Sequence, residues 1–355
     1  MKKQAWLKGT VTCAATLMVL APLTARADVK IETLTHLNDV TGISNHDSDT
    51  TDYFQGDKKR EENQRKFTGN VLGAWQKFRG EDKGSMDIDI YDVPANKHWN
   101  MDPQKKVYSV ESIYDPNQPS KAPPQGGTTQ QQKEQQQDQD VKVTKNEFTV
   151  KDTGQSETIN GFDTHEYLVT WDYETQNTKT NETSKSLMTT DTWTSTDGKL
   201  VKAREAEVAY NKAYRQLMHI PEPEANDASR VYGLEDGHVE VNGQDMKADL
   251  EKLRTIKGLP VSLDVTWEAG GTDANGKQTN DSDAGKDSGK TLDSALGSLF
   301  GGNKSDDSSK QAPPPKQGTP GMTTIFNSHY EVKAVDTAAV DASQFAVPSD
   351  YKADN

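Results

Sequence analysis

The sequence predicts an α+β fold: a curved, half-barrel-like antiparallel sheet with two helices packed on one face and long disordered insertions. Three observations carry that expectation. Most ordered segments alternate apolar and polar residues with period two, as half-buried strands do. Two stretches outside the biased tracts, both in the second half of the chain, repeat at helical spacing. Two further stretches are too polar and too biased in composition to pack.

The chain opens with the three parts of a secretory signal. Lys2, Lys3 and Lys8 form a basic start, Val11 to Leu23 is mostly apolar, and Ala25-Arg26-Ala27 is a small-x-small cleavage site. Residues 1–27 are therefore expected to be removed, with Asp28 as the first mature residue and the periplasm as the destination. The only cysteine, Cys13, lies inside this segment, so the mature chain is expected to lack disulfides and cysteine catalysis. The full chain has 41 basic and 55 acidic residues. Four of the basic ones precede Asp28, which leaves a mature net charge of −18. That balance argues against nucleic acid, whose phosphates need a basic surface. It also argues against attraction to anionic lipid. No later segment has transmembrane length.

The mature part, 28–355, reads as one α+β domain broken by two tracts. The first, 116–140, is rich in Pro and Gln; the second, 270–321, is rich in Gly, Asp, Ser, Lys and Pro. Neither has enough apolar surface to offset the entropy of ordering it.

Met86-Asp87-Ile88-Asp89-Ile90 alternates strictly and reads as a half-buried strand. His98–Met101 and Lys106–Tyr114 read as the next two. Asn160-Gly161 is a hairpin-type turn. After it, His165, Tyr167, Val169, Trp171 and Tyr173 share one face of a long strand. Leu187–Ser195 follows, with Leu187 and Trp193 on one face, and Thr196-Asp197-Gly198 turns the chain. Ala203–Met218 is expected to be helical on the spacing of Ala206, Tyr210, Ala213, Tyr214 and Leu217. Gly243–Lys257 is expected to be the second helix, on Met246, Leu250 and Leu253, with Asn242 as its cap and Gly258 and Pro260 beyond its end. Val261, Leu263, Val265 and Trp267 then alternate as a strand. Thr323–Val335 resumes with Phe326, Tyr330 and Val332. These two strands are expected to form a hairpin whose turn is replaced by about fifty residues, because loop-closure entropy grows only logarithmically.

These residues resemble an exported bacterial family of unknown function (DUF4412-like), similar in layout to the periplasmic lipoprotein carriers. The resemblance rests on Lys105-Lys106-Val107-Tyr108, Thr158-Ile159-Asn160-Gly161-Phe162, Thr192-Trp193, the step Lys257 to Val261, and the closing Phe345-Ala346-Val347-Pro348-Ser349-Asp350-Tyr351. It runs from about Phe78 to Tyr351. It implies a curved sheet with helices near its concave side, and no established activity.

Chemistry-bearing residues are sparse. Asp87, Asp89 and Asp92 are the best carboxylate cluster, and they read first as the wet face of a strand. His46-Asp47-Ser48-Asp49 could offer metal ligands but lacks a spaced partner, and reads as a loop. Gly271–Lys277 and Gly285–Thr291 only approach a phosphate-loop pattern. No catalytic residue, metal site or cofactor is expected. A ligand-facing lining would use Tyr167, Trp171, Tyr173, Trp193, Tyr210 and Tyr214. Leu292, Ala295, Leu296, Leu299 and Phe300 form a short apolar stripe inside the second tract. Three function classes follow. The first is a non-catalytic periplasmic binder of a hydrophobic or amphipathic ligand, lipid-like, or of an exported polypeptide. The second is an envelope scaffold that contacts an envelope protein through its loops. The last is a carboxylate-dependent enzyme.

Overall fold

A computed structural model describes residues 28–43, 45–81, 83–117, 141–221, 240–241, 244–245, 251–279 and 319–354. The chain builds β1 (Val29–Asp39), β2 (His46–Gln55), β3 (Lys58–Phe67), α1 (Asn70–Phe78), β4 (Ser85–Asp92), β5 (Lys97–Asp102) and β6 (Val107–Glu111). Then come β7 (Val141–Ile159), β8 (Phe162–Asn177), β9 (Thr183–Ser195), α2 (Gly198–Met218), and the short β10 (Glu240–Val241) and β11 (Gln244–Asp245). β12 (Leu259–Thr272), β13 (Gln278–Thr279), β14 (Met322–Asp336) and β15 (Lys352–Ala353) complete it.

One open sheet holds all strands except the β10–β11 pair, in the order β15-β6-β5-β4-β3-β2-β1-β14-β12-β9-β8-β7, with β13 on β12. Every pairing in it is antiparallel except β15 with β6. The expected β12–β14 hairpin is present. Asn160 and Gly161 both take positive φ, 51° and 85°, as a two-residue type I′ hairpin turn requires.

The two faces of the sheet are covered differently. On the helix face, α2 lies against the ends of β1, β2 and β14. Leu200, Ala203, Ala206, Tyr210 and Met218 meet Val29, Phe54, Phe162, Val261, Val332 and Val335 there. α2 begins directly after β9, and the ring of its C-cap His219 packs 4.9 Å from Tyr114, just beyond β6. Eight strand spacings separate β9 from β6, roughly 38 Å in a flat sheet. The 21-residue helix is only roughly 31 Å long, consistent with a sheet that curls around it. On the opposite face, Ile88, Ile90 and Met101 are sealed by the C-terminal segment through Phe345, Val340, Val347 and Tyr351. We call this the tail face.

Several expectations are corrected. α2 starts at Gly198, five residues early, because Asp197 caps it by accepting the Lys199 N–H at 2.7 Å. The second expected helix does not span Gly243–Lys257: Gln244–Asp245 pair as a strand and Glu251–Thr255 is a single 3-10 turn, while Asn242, Met246 and Leu250 lie outside the described residues. An isolated amphipathic segment of that length is marginal, and here the turn is held by burying Leu253 and by Lys252 Nζ donating to the Phe148 carbonyl at 2.8 Å. Among the described residues the second helix is instead α1, at the strand ends opposite α2, so the helices do not sit together. His46–Asp49 is not a loop but the start of β2, paired on both sides by β1 and β3. The second biased tract begins later than Gly270: β12 runs to Thr272, Gln278–Thr279 pair back onto it, and Thr319 hydrogen-bonds Glu268 through both its N–H and its hydroxyl. Residues 118–140 and 280–318, with the stripe Leu292 to Phe300 and the Gly285–Thr291 pattern, lie outside the described residues.

Candidate functional site

Strand alternation sorts the six expected lining residues. Tyr167, Trp171 and Tyr173 share the helix face of β8, as their spacing predicted. Tyr167 and Tyr173 are buried and Trp171 is half-buried. Trp193 is not with them. It stands opposite Glu166 and Ser262 in the register, which places it on the tail face. Tyr210 and Tyr214 project from α2 toward the other half of the sheet: Tyr210 packs edge-on to Phe54 at 5.9 Å, and Tyr214 edge-on to Tyr91 at 6.3 Å. They form α2's docking contact and sit apart from the β8 aromatics.

The register reveals a larger wall. Phe326 on β14 pairs with Trp267 on β12, Trp267 with Met188 on β9, Met188 with Trp171 on β8, and Trp171 with Phe148 on β7. Five adjacent strands thus place a large apolar side chain in one cross-strand row of the helix face. Directly opposed side chains in such rows touch. Phe148 is buried, while the other four are half-buried. The indoles are oriented by their N–H groups: Trp267 Nε1 donates to Ser186 Oγ at 2.6 Å, and Trp171 Nε1 to Asn146 Oδ1 at 2.9 Å. The next row adds Val265 and Val169, and the row after it Tyr330, Leu263 and Tyr167. Trp267, Phe326 and Met188 were missed as a group. Trp267 and Phe326 each stood on a recognised strand, but only the register joins them.

Across β1 the same face turns polar. Tyr330 continues into Thr35, Ser48 and Arg65, and the neighbouring row runs Thr33, Thr50, Asn63, Asp87. Ser48 Oγ donates to Asn63 Oδ1 at 2.7 Å. Away from α2, the helix face is therefore rich in apolar side chains over β14, β12 and β8, with Ser328, Thr190 and Thr192 among them, and polar over β1 to β4.

The carboxylate cluster divides. Asp92 lies on the tail face, 2.7 Å from Lys58 Nζ. Asp87 and Asp89 lie on the helix face. Burial raises the pKa of Asp89, but hydrogen bonds from His98 (2.7 Å) and Asn100 (3.0 Å) outweigh it and hold the group below its usual value. Burial pushes Asp87 up, helped by Asp89 and Asp102. Among the described residues, no group of three His, Cys, Asp or Glu is arranged to hold a metal ion. Gly271–Lys277 makes no phosphate cradle: it is the end of β12 and a turn in which Asp273 accepts the N–H groups of Asn275 and Lys277.

No family model matches the chain, and no curated protein matches it. Among solved structures, a DUF1329 family protein from Desulfovibrio piger is similar at 8% identity over 47% of this chain and 79% of its own, with a TM-score of 0.16. A likeness of that size carries no argument. No helix among the described residues is long and apolar enough to cross a membrane.

Proposed function

We propose that this is a non-catalytic, exported periplasmic protein that binds an amphipathic, lipid-like ligand on the helix face of its sheet. The supporting observation is the two-toned face. A half-buried row of Phe326, Trp267, Met188 and Trp171 runs beside a polar field of Thr33, Thr35, Ser48, Thr50 and Asn63. An acyl chain gains by covering the apolar row, and a polar head finds hydroxyl and amide partners across β1. An extended exported polypeptide with an apolar segment fits the same chemistry. The signal-like residues 1–27 and the resemblance to carrier-type exported proteins agree with this role. Scaffolding through 118–140 and 280–318 has no described residue in its support.

Titration with a lysophospholipid should change tryptophan emission saturably and raise the melting temperature through linkage. Trp171→Ala and Trp267→Ala should each weaken binding about tenfold or more, since a ligand that fully covers an aromatic side chain gains about 1.5–3 kcal/mol. Trp193→Phe, on the tail face, should leave affinity unchanged. The reading fails if the amphiphile shifts neither signal, or if Trp193→Phe weakens binding as much as Trp267→Ala.

A further inference from the structure

α1 is built inside out. A surface helix ordinarily turns its apolar stripe to the core. α1 turns Gly73 and Gln76 inward and leaves Val71 60%, Trp75 57% and Phe78 88% exposed. The inward contact is polar: Gln76 accepts the Phe67 N–H at 2.9 Å and donates to the Arg65 carbonyl at 3.1 Å. Gly69, the N-cap, sits so close to Gly42 that an added Cβ would meet its carbonyl oxygen at 1.8 Å. This contact ties α1 to the turn after β1, where Val40 is 63% exposed. Four of the seven exposed large hydrophobic residues among the described residues therefore gather at one rim of the sheet, the rim opposite α2.

The charges around the stripe carry both signs. Lys77 is exposed at the end of α1. Arg79 lies 4.8 Å from the Trp75 ring and 3.2 Å from Glu81. Asp87 and Asp102 line a cleft of about 240 Å³ beside Trp75 and Arg79.

We propose that α1 docks the protein on a lipid surface of zwitterionic headgroups, with Val71, Trp75 and Phe78 entering the interface. Trp and Phe flanked by basic residues is the composition of helices that lie in a membrane interface. The patch is too small for another protein: nine residues make a helix roughly 13.5 Å long, whereas a stable complex buries about 800 Å² per partner. Lys77 and Arg79 suit a headgroup phosphate, and the exposed Asp87 suits its amine, while Asp102 beside it is paired with Lys105 at 2.6 Å. A purely anionic surface would meet Asp87, Asp102 and the −18 net charge of the chain beyond residue 27. This surface is separate from the ligand wall and stands without it.

The test is co-sedimentation of the mature chain with vesicles of phosphatidylcholine and phosphatidylethanolamine, and with vesicles of phosphatidylglycerol. The wild type should pellet with the zwitterionic vesicles and less with the anionic ones. Trp75→Ser combined with Phe78→Ser should reduce the bound fraction on the order of tenfold or more. Its melting temperature should fall by no more than a few degrees, because Phe78 is 88% exposed and Trp75 loses only its stack on Arg79 and its side of the cleft. Trp267→Ala should still pellet, even where it has lost lysophospholipid binding. Docking is overturned if the wild type stays in the supernatant, if the double variant pellets like wild type, or if anionic vesicles bind better. It is also overturned if the wild type is a dimer that the double variant dissolves, since a second copy would then be the occupant.

Discussion

Asp52 stands beneath α2 with Lys59 and Glu61 beside it and Glu207 facing it from the helix. Burial raises its pKa to about 6, with Glu61 and Glu207 adding to the rise and Lys59, 3.1 Å away, opposing it. The folded state therefore holds this proton more tightly than the unfolded chain. Ionised Asp52 weighs against folding above pH 6, and that penalty fades as pH falls through 6 toward 3.8. Two histidines act in the same direction. Burial pulls the pKa of His98 down, but hydrogen bonds to Asp89 and Glu111 outweigh it; Asp264, and then Glu331, raise His329 against burial. Both are raised, so their stabilisation is present below the unfolded histidine value and is lost as pH rises through the folded one. Asp89, Asp102 and Glu331 are lowered, and their stabilisation is lost only in strong acid. The melting temperature should therefore rise from pH 8 to a maximum near pH 5–6. Asp52→Asn should raise stability, and with it the melting temperature, at pH 8, by up to about 3 kcal/mol, and should gain much less at pH 4.5. A wild-type melting temperature that falls steadily from pH 8 to 5 would contradict the assignment.

At the scale of elements, the C-terminal tail is the clearest case of sequence and structure agreeing. Phe345 belongs to the closing motif and is 8% exposed against Ile88, Ile90 and Met101. Arg60 donates to the Gln344 carbonyl at 3.0 Å, and Asp28 accepts the Val340 N–H at 3.1 Å. Phe345→Ala should cost roughly 3–5 kcal/mol, measured by urea unfolding; a loss under about 0.5 kcal/mol would mark a surface position. β4, β5, β6, β8, β9, β12 and β14 were legible because their alternation shows, as in Met86, Ile88 and Ile90, whereas β7, with few apolar residues on either face, was not read. β1, β2, β3 and α1 were not read. β3, Lys58-Lys59-Arg60-Glu61-Glu62-Asn63-Gln64-Arg65-Lys66-Phe67, shows no apolar period. Its cohesion comes from pairing on both sides and from ion pairs such as Lys58–Asp92 and Lys59–Asp52, which hydropathy does not register. α1 was invisible for the opposite reason: its apolar stripe faces solvent. The aromatic wall was half legible, since alternation places Trp171 and Trp267 on strand faces but is silent about which strands meet.

Across the whole molecule, β14 is the seam: it pairs with β1 at the chain's beginning and with β12, from which the 280–318 insertion separates it. The two ends of that insertion are held together by the fold. Gln278 lies against Gly321, and both Thr319 hydrogen bonds reach Glu268 on the next strand. The sheet thus closes the loop whatever its length, and the Gly-, Asp- and Ser-rich composition of 280–318 offers it little apolar surface. Joining Thr279 to Thr319 through a short Gly-Ser turn should keep cooperative unfolding. The loop shrinks about tenfold, which removes roughly 2 kcal/mol of closure entropy at most, so the melting temperature should rise by a few degrees. Cutting further, at Ala269 and Met322, removes β13 and both Thr319 contacts to Glu268, and should lower stability relative to the first deletion. Differential scanning calorimetry of the two deletions decides the matter. Loss of a single cooperative transition in the shorter cut would mean that the stripe from Leu292 to Phe300 belongs to the core.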